Sequence, residues 1–370
     1  MAMRAAFLTI VFLLPSLAHG QYLSPDKLLS RAIEEQQKGD DSAAIRDYQA
    51  LIAVRPESLV ARVNLGAALA RAGRLDAAIA QYQAALKINP QQASVHLDLG
   101  LAYSRKNDLT DACDQFAAAH RATPGDPRIA ILFGDAEART GKAADAVAML
   151  APMETANAAN SDFEYVLGEA LIAAGHPRDG APRVEKSAAM TNSAESWMLA
   201  GSTLLDLNEF AQARRDLDNA FRIDPSIPGL CTLDGTARDK DGDAAAAEPA
   251  FRLAIRQNPD DFDANLYLGA ILYNQRKMDE AKKYLDKALL LNPQSTMARY
   301  ELAMWDSLSG QYEVAAQILE KLTQDDPKWL EPHVELATVY YRLHRPDDGQ
   351  RERAIVDKLT AEQQQEGPGK

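Results

Sequence analysis

Cysteine is nearly absent from this chain: two residues in 370, beside three tryptophans and an aromatic share of 6%. That excludes a disulfide-stapled scaffold, which needs a dense cysteine framework. No phosphate-cradling glycine loop, nucleophile-elbow motif, or pair of cysteines or histidines at metal-ligand spacing occurs. We therefore expect no catalytic residue, no cofactor, no metal site and no enzymatic activity. Basic residues are outnumbered, 40 Lys and Arg against 53 Asp and Glu, for a formal net charge of −13. Such a balance repels phosphate backbones and anionic lipid, so nucleic acid is not an expected partner. Past the N-terminus no apolar run is long enough to span a bilayer.

Residues 1–20 read as a secretory signal. Arg4 supplies the positive start, Ala5 to Leu14 is a short apolar run, Pro15 breaks it, and Ala18-His19-Gly20 puts small residues before a cleavage at Gln21. The run is too short for a transmembrane helix. No cysteine adjoins the cleavage point, which argues against a lipid anchor. Loss of Arg4 with this segment leaves the mature chain one charge more acidic. The expected location is outside the cytoplasm, periplasmic or secreted.

What the chain does have is a period. Leu59 to Gln92 is followed by a second stretch on the same plan, Ala93 to Asp126. Leu65-Gly66 becomes Leu99-Gly100, Ala78 becomes Ala112, Tyr82 becomes Phe116, Ala85 becomes Ala119 and Pro90 becomes Pro124. Apolar residues at Leu65, Leu69, Ala78, Tyr82 and Ala85 fall at helical spacings, so each half is amphipathic. Gly66 and Ala78 are small where two helices approach. Gly73 can take the left-handed conformation that ends the first helix, and Asn89-Pro90 stops the second. One such hairpin cannot bury its apolar faces alone, so neighbours must cover it.

These recurring positions resemble the tetratricopeptide repeat, a helix–turn–helix unit with a period of about 34 residues. The resemblance implies an all-α fold, a right-handed solenoid of tandem hairpins. It also implies a concave groove lined by the first helix of each repeat, where a protein partner or extended peptide lies.

The closing prolines set the register. Pro56, Pro90 and Pro124 keep one spacing, and so do Pro225, Pro259, Pro293 and Pro327; the gap between the two series is one residue short of three periods. The array therefore spans residues 21–363 as ten repeats. They begin near Pro25, Leu59, Ala93, Pro127, Ser161, Ala194, Pro228, Phe262, Thr296 and Leu330. Gly39, Gly73, Asn107, Gly141, Gly175, Asn208, Gly242 and Gly310 mark the turn inside eight of them; Arg276 and His344 stand there in the other two and imply a different or strained turn. Pro182 and Pro249 fall inside second halves, where a helix must start later or kink. Residues 150–193 lack a closing proline and read as a soft joint. Residues 351–363 are expected as a last, capping helix, and 364–370 as a disordered tail. Cys113 and Cys231 lie more than three repeats apart, too far to pair if repeats touch only neighbours, and read as buried or half-buried thiols. His96 and His333 share one place in their repeats, which suggests packing or surface residues.

In the register that the resemblance supplies, candidate groove residues are Leu97, Leu101, Tyr165, Met198, Leu205 and Tyr267, then Tyr273, Met297, Tyr300, Met304 and Tyr341. Tyr and Met suit an adaptable apolar surface, and each can equally pack between helices. Arg71, Arg105 and Arg139 recur one period apart. They can clamp partner carboxylates or simply answer helix C-terminal dipoles. The C-terminal-carboxylate clamp of some family members is not matched: Asn64 fits one place, but Leu29 and Ile33 stand where lysines are needed. The expected function is a non-catalytic interaction scaffold, in envelope assembly or secretion. The alternatives are a holdase for exported chains or, last, an enzyme with an unrecognised site. The carboxylates read as a solvated surface, and nothing in the sequence sets the oligomeric state.

Overall fold

The computed structural model describes residues 23–366, so the expected signal segment 1–20 and residues 367–370 lie outside the described residues. All regular structure among the described residues is helical. The chain divides into one compact unit ending at Met153 and another beginning at Glu154.

The first unit holds four hairpins: α1 (Pro25–Gln37) with α2 (Asp41–Val54), α3 (Leu59–Arg71) with α4 (Leu75–Ile88), α5 (Ala93–Arg105) with α6 (Leu109–Ala122), and α7 (Pro127–Arg139) with the short α8 (Ala143–Leu150). A single 3-10 turn, Ala151–Met153, follows. The second unit opens on the one-turn α9 (Glu154–Asn157) and holds six hairpins: α10 (Ser161–Ala173) with α11 (Pro177–Thr191), α12 (Ala194–Asp206) with α13 (Phe210–Ile223), α14 (Leu230–Lys240) with α15 (Ala244–Gln257), α16 (Phe262–Asn274) with α17 (Met278–Leu291), α18 (Thr296–Leu308) with α19 (Tyr312–Asp325), and α20 (Leu330–Arg342) with α21 (Pro346–Glu366). The ten hairpins follow the expected register.

The ends of the helices are written into local sequence. Ser24, Ser58, Asp126, Asn160, Ser193, Asp261 and Ser295 each accept a hydrogen bond from a first-turn N–H of a first helix. At the other end every first helix closes alike. In hairpin two Gly73 has φ +73°, and the Arg74 N–H donates back to the Leu69 carbonyl at 2.9 Å. The same bond recurs from Asp40 to Glu35 in hairpin one and from Arg345 to Tyr340 in hairpin ten. Arg276 and His344, with φ +63° and +57°, adopt this turn too, so their hairpins are not built differently. They hold with a side chain the geometry that glycine holds without cost.

Between the helices of a hairpin, one large residue of the second packs on a small one of the first. A Cβ added at Gly66 would lie 2.6 Å from the Tyr82 ring. The places equivalent to Tyr82 carry Tyr48, Phe116, Leu217, Phe251, Leu285 and Leu319, all buried, each contributing about 1.5–3 kcal/mol by burial. In both units the core is a chain of local clusters between sequence neighbours rather than one centre.

Successive hairpins are also tied by one polar strut. The fourth residue of a repeat reaches the carbonyl of the preceding closing proline: Arg62 to Pro56 at 2.9 Å, His96 to Pro90 at 2.9 Å, Asn265 to Pro259 at 3.2 Å and His333 to Pro327 at 3.2 Å. The Cys231 thiol faces the Pro225 carbonyl in the same way at 3.9 Å. The two histidines and this cysteine are thus structural, and Cys231 and Cys113 are both buried free thiols.

Three expectations change. Of the later start or kink expected at Pro182 and Pro249, the later start is excluded: α11 starts at Pro177 and α15 at Ala244, each five residues earlier. The last helix begins at Pro346 rather than Arg351 and runs through Glu366, taking in the first residues of the expected tail. Within 150–193 the irregular backbone is confined to residues 151–160. Hairpin five beyond it is tightly packed: a Cβ on Gly180 would lie 2.6 Å from the Gly168 carbonyl oxygen.

Candidate functional site

In the second unit first helices touch first helices: α12 meets α14, and α14, α16, α18 and α20 follow in series. Among the described residues, the second helices make no approach of that closeness to one another. The first helices therefore lie side by side, and large apolar side chains are exposed on the last two, where Val334 and Tyr341 open onto a cleft shared with Arg353, Val356 and Asp357 of α21. Met297 and Leu308 of α18 are 45% and 41% exposed, and Val334 and Tyr341 of α20 are 46% and 41% exposed. Tyr267, Tyr273, Tyr300 and Met304 lie among them half-buried. The Tyr300 ring packs on Trp329, with centroids 5.2 Å apart, and Tyr267 stacks on Phe251 at 5.7 Å. These tyrosines have one side in the packing and one toward the face, so both readings of them hold at once.

Carboxylates share the face. Glu301 lies half-buried and makes no hydrogen bond or ion pair; burial pushes its carboxyl above the ordinary range. Glu335 accepts a hydrogen bond from the Ser307 hydroxyl at 2.5 Å. The Tyr300 phenol is pushed up to about 12, first by burial and then by Glu301, Glu335 and Glu331. Tyr273 is raised by burial and then by Glu335, with Arg276 opposing and Glu301 adding to the rise. Two tyrosines and three glutamates from α16, α18 and α20 therefore sense one another. A neighbouring cleft of about 600 Å³ lies between α12, α14 and α16, with Leu205, Thr232, Lys240, Asp263 and Tyr267 in its walls. Burial raises the Asp263 carboxyl there, and Asp261 adds to the shift.

The remaining candidates fall elsewhere. Met198 is half-buried in the core around α12 to α14, and Tyr165 is half-buried on α10. In the first unit Leu101 is 37% exposed, whereas Leu97 packs against the cluster around Phe116. The three arginines do not stand free as a row. Arg71 pairs with Asp41 at 2.6 Å, Arg105 donates to the Ala70 carbonyl at 2.7 Å, and Arg139 reaches Asp135 of its own helix at 3.4 Å. Each has a different partner within the fold, two of them on the preceding hairpin.

Sequence reasoning missed the acids. Asp98, Glu301 and Glu335 occupy the same place in three first helices, and burial raises Asp98 as it does Glu301. The repeat register could have singled them out from the solvated carboxylates of the second helices.

A tetratricopeptide repeat profile matches residues 94–161, 165–227 and 233–296, and a second TPR repeat profile matches residues 71–107. Together they cover more than half of the chain. The chain belongs to the tetratricopeptide repeat family. This TPR chain is 24% identical over 155 residues to anaphase-promoting complex subunit 3 of Schizosaccharomyces pombe, a match over 42% of the chain and 23% of that protein. It is 28% identical over 166 residues to cellulose synthase operon protein C of Xanthomonas axonopodis pv. citri, over 41% of the chain and 10% of that protein. The TPR array thus spans under a quarter of the length of the curated relatives it matches. Among solved structures, it resembles MamA with 24% identity and a TM-score of 0.41, over 44% of this chain and 95% of that one. It resembles an APC/C Cut9–Hcn1 hetero-tetramer chain with 12% identity and a TM-score of 0.49, over 92% and 88%.

Proposed function

We propose that this TPR protein is an exported, non-catalytic scaffold that holds an extended peptide or partner protein against its first helices, in envelope assembly or secretion. The observation that carries the reading is the exposure of Met297, Leu308, Val334 and Tyr341 on the first helices α18 and α20. Large apolar residues left together in water mark an interaction surface. Tyr and Met are side chains that bind with little ordering cost or adapt to shape. Export rests on residues 1–20 of the sequence and predicts a mature N-terminus at Gln21.

The test places a photo-crosslinking residue at Val334, on the first-helix face, or at Val314, on α19. Both are exposed, at 46% and 43%. Partner adducts from position 334 and none from 314 support the scaffold. Equal labelling from both removes the face from the proposal. A holdase differs in outcome: its adducts from position 334 spread over many unfolded chains, and the protein suppresses their aggregation at near-equal stoichiometry.

A further inference from the structure

The face of α16, α18 and α20 is both apolar and acidic. Its first-helix positions bring Glu301, Glu331 and Glu335 beside Tyr273 and Tyr300, with Met297 of α18 and Val334 of α20 exposed. Few bases answer them. Arg276, in the turn after α16, acts on Tyr273, and Arg342 ends α20; neither forms an ion pair. Glu301 is held partly out of water with no partner at all. A desolvated carboxylate without a donor is unfavourable, and an arriving cation removes that cost through a charge-assisted hydrogen bond. The tyrosine rings beside it supply π faces, on which a guanidinium stacks more readily than on aliphatic neighbours.

Spacing adds a second constraint. Adjacent first helices pack side by side, which places their axes about 8–10 Å apart. An extended chain rises about 3.3 Å per residue, so it crosses from one helix to the next in roughly three residues. A second copy of this chain is a poor occupant, since two chains of formal net charge −13 repel.

Resting on the scaffold reading, we propose that this face takes an extended protein segment with Arg or Lys at about every third position and apolar residues between. The basic side chains meet the row of glutamates and lie on Tyr273 and Tyr300. The apolar ones cover Met297 and Val334.

Three labelled twelve-residue peptides test this with the full chain. One carries Arg at every third position among Leu and Ala, one carries Glu in those places, and one has the same four Arg grouped at one end. The first is expected to bind at least tenfold more tightly than the second and fivefold more tightly than the third. A Glu301→Gln/Glu335→Gln variant is expected to lose at least fivefold for the first peptide. An Asp279→Asn/Glu313→Gln variant, on exposed second-helix positions, is expected to keep its affinity, with unchanged circular dichroism in both. If the Glu peptide binds as well as the Arg peptide and Tyr300→Ala abolishes both, the cationic preference is overturned while the scaffold stands. If both variants lose affinity equally, attraction to total charge explains the binding and the site is overturned. If no peptide binds at millimolar concentration, this inference and the extended-peptide reading of the face fall together.

Discussion

Asp47 and Asp216 occupy the same place in the second helices of hairpins one and six, and meet opposite surroundings. Asp47 receives Arg31 of α1 in a two-pronged pair, at 2.5 and 2.6 Å. The place of Arg31 is taken by Ala200 in hairpin six. Asp216 is buried with one oxygen unsatisfied, and it faces Glu185 of α11, with Arg215 a weaker opposing charge. Its carboxyl is pushed up to about 8, first by burial and then by Glu185. The folded state therefore keeps a proton that the unfolded state releases at the ordinary value of 3.8. Its contribution is whole below that value and is lost as pH rises toward about 8, because the folded form binds the extra proton throughout. We expect Asp216→Asn to raise the melting temperature at pH 8 and to leave it nearly unchanged at pH 4. A calorimetric pH series checks this, and an equal shift at both pH values contradicts it. The left-handed turns make a second prediction. A side chain there costs about 1–2 kcal/mol, and glycine gives back about 0.5–1 kcal/mol through unfolded-state freedom. Arg276→Gly and His344→Gly should each stabilise by about 0.5–1 kcal/mol in urea titrations.

At the scale of the element, hairpin five departs most from its sequence-level expectation. The absence of a closing proline and the presence of Pro182 suggest a soft stretch in the sequence, because proline weakens an isolated helix. Inside the fold Gly180 permits α10 and α11 to cross backbone to backbone, with the Gly168 oxygen 2.6 Å from where a Cβ would stand. Gly180→Ala improves helix propensity by about 1 kcal/mol, but it drives a methyl into a backbone that cannot yield. The expected net loss is about 1–2 kcal/mol, read from the denaturation midpoint. The irregular stretch is residues 151–160, a 3-10 turn and one turn of helix, and any softness is expected there. Amide hydrogen exchange should be fast there and slow in α10 and α11. Protection of 151–160 equal to that of α16 and α17 would rule the joint out. Helix existence, turn position and the places of large and small residues were all legible, because each is set by residues within one or two turns. The start of α11 was not, since a proline at its sixth position is tolerated only where neighbouring helices hold the segment.

On the scale of the whole molecule, stability comes from neighbours. Cores form locally between successive hairpins, so each compact unit carries its own. The fragment 23–153 is expected to fold alone, with helical circular dichroism and a cooperative melt. A fragment that stays unfolded would show that its last hairpin depends on the chain beyond it. The candidate face was half legible. Tyrosines and methionines at first-helix positions point to it, but in the sequence its acids look no different from solvating charge. The arginine row looked regular in sequence, and the fold gave each member a separate internal partner.

The sequence by itself determined the period, the ten hairpins and their shared turn. These follow from helical spacing, capping residues and left-handed positions, all short-range along the chain. Only the tertiary structure decided which charges are answered and which are left bare. Arg71 finds Asp41 on the preceding hairpin while Glu301 finds nothing. A side chain's partner sits on another helix, and which atoms come within reach depends on how closely and at what angle those helices pack.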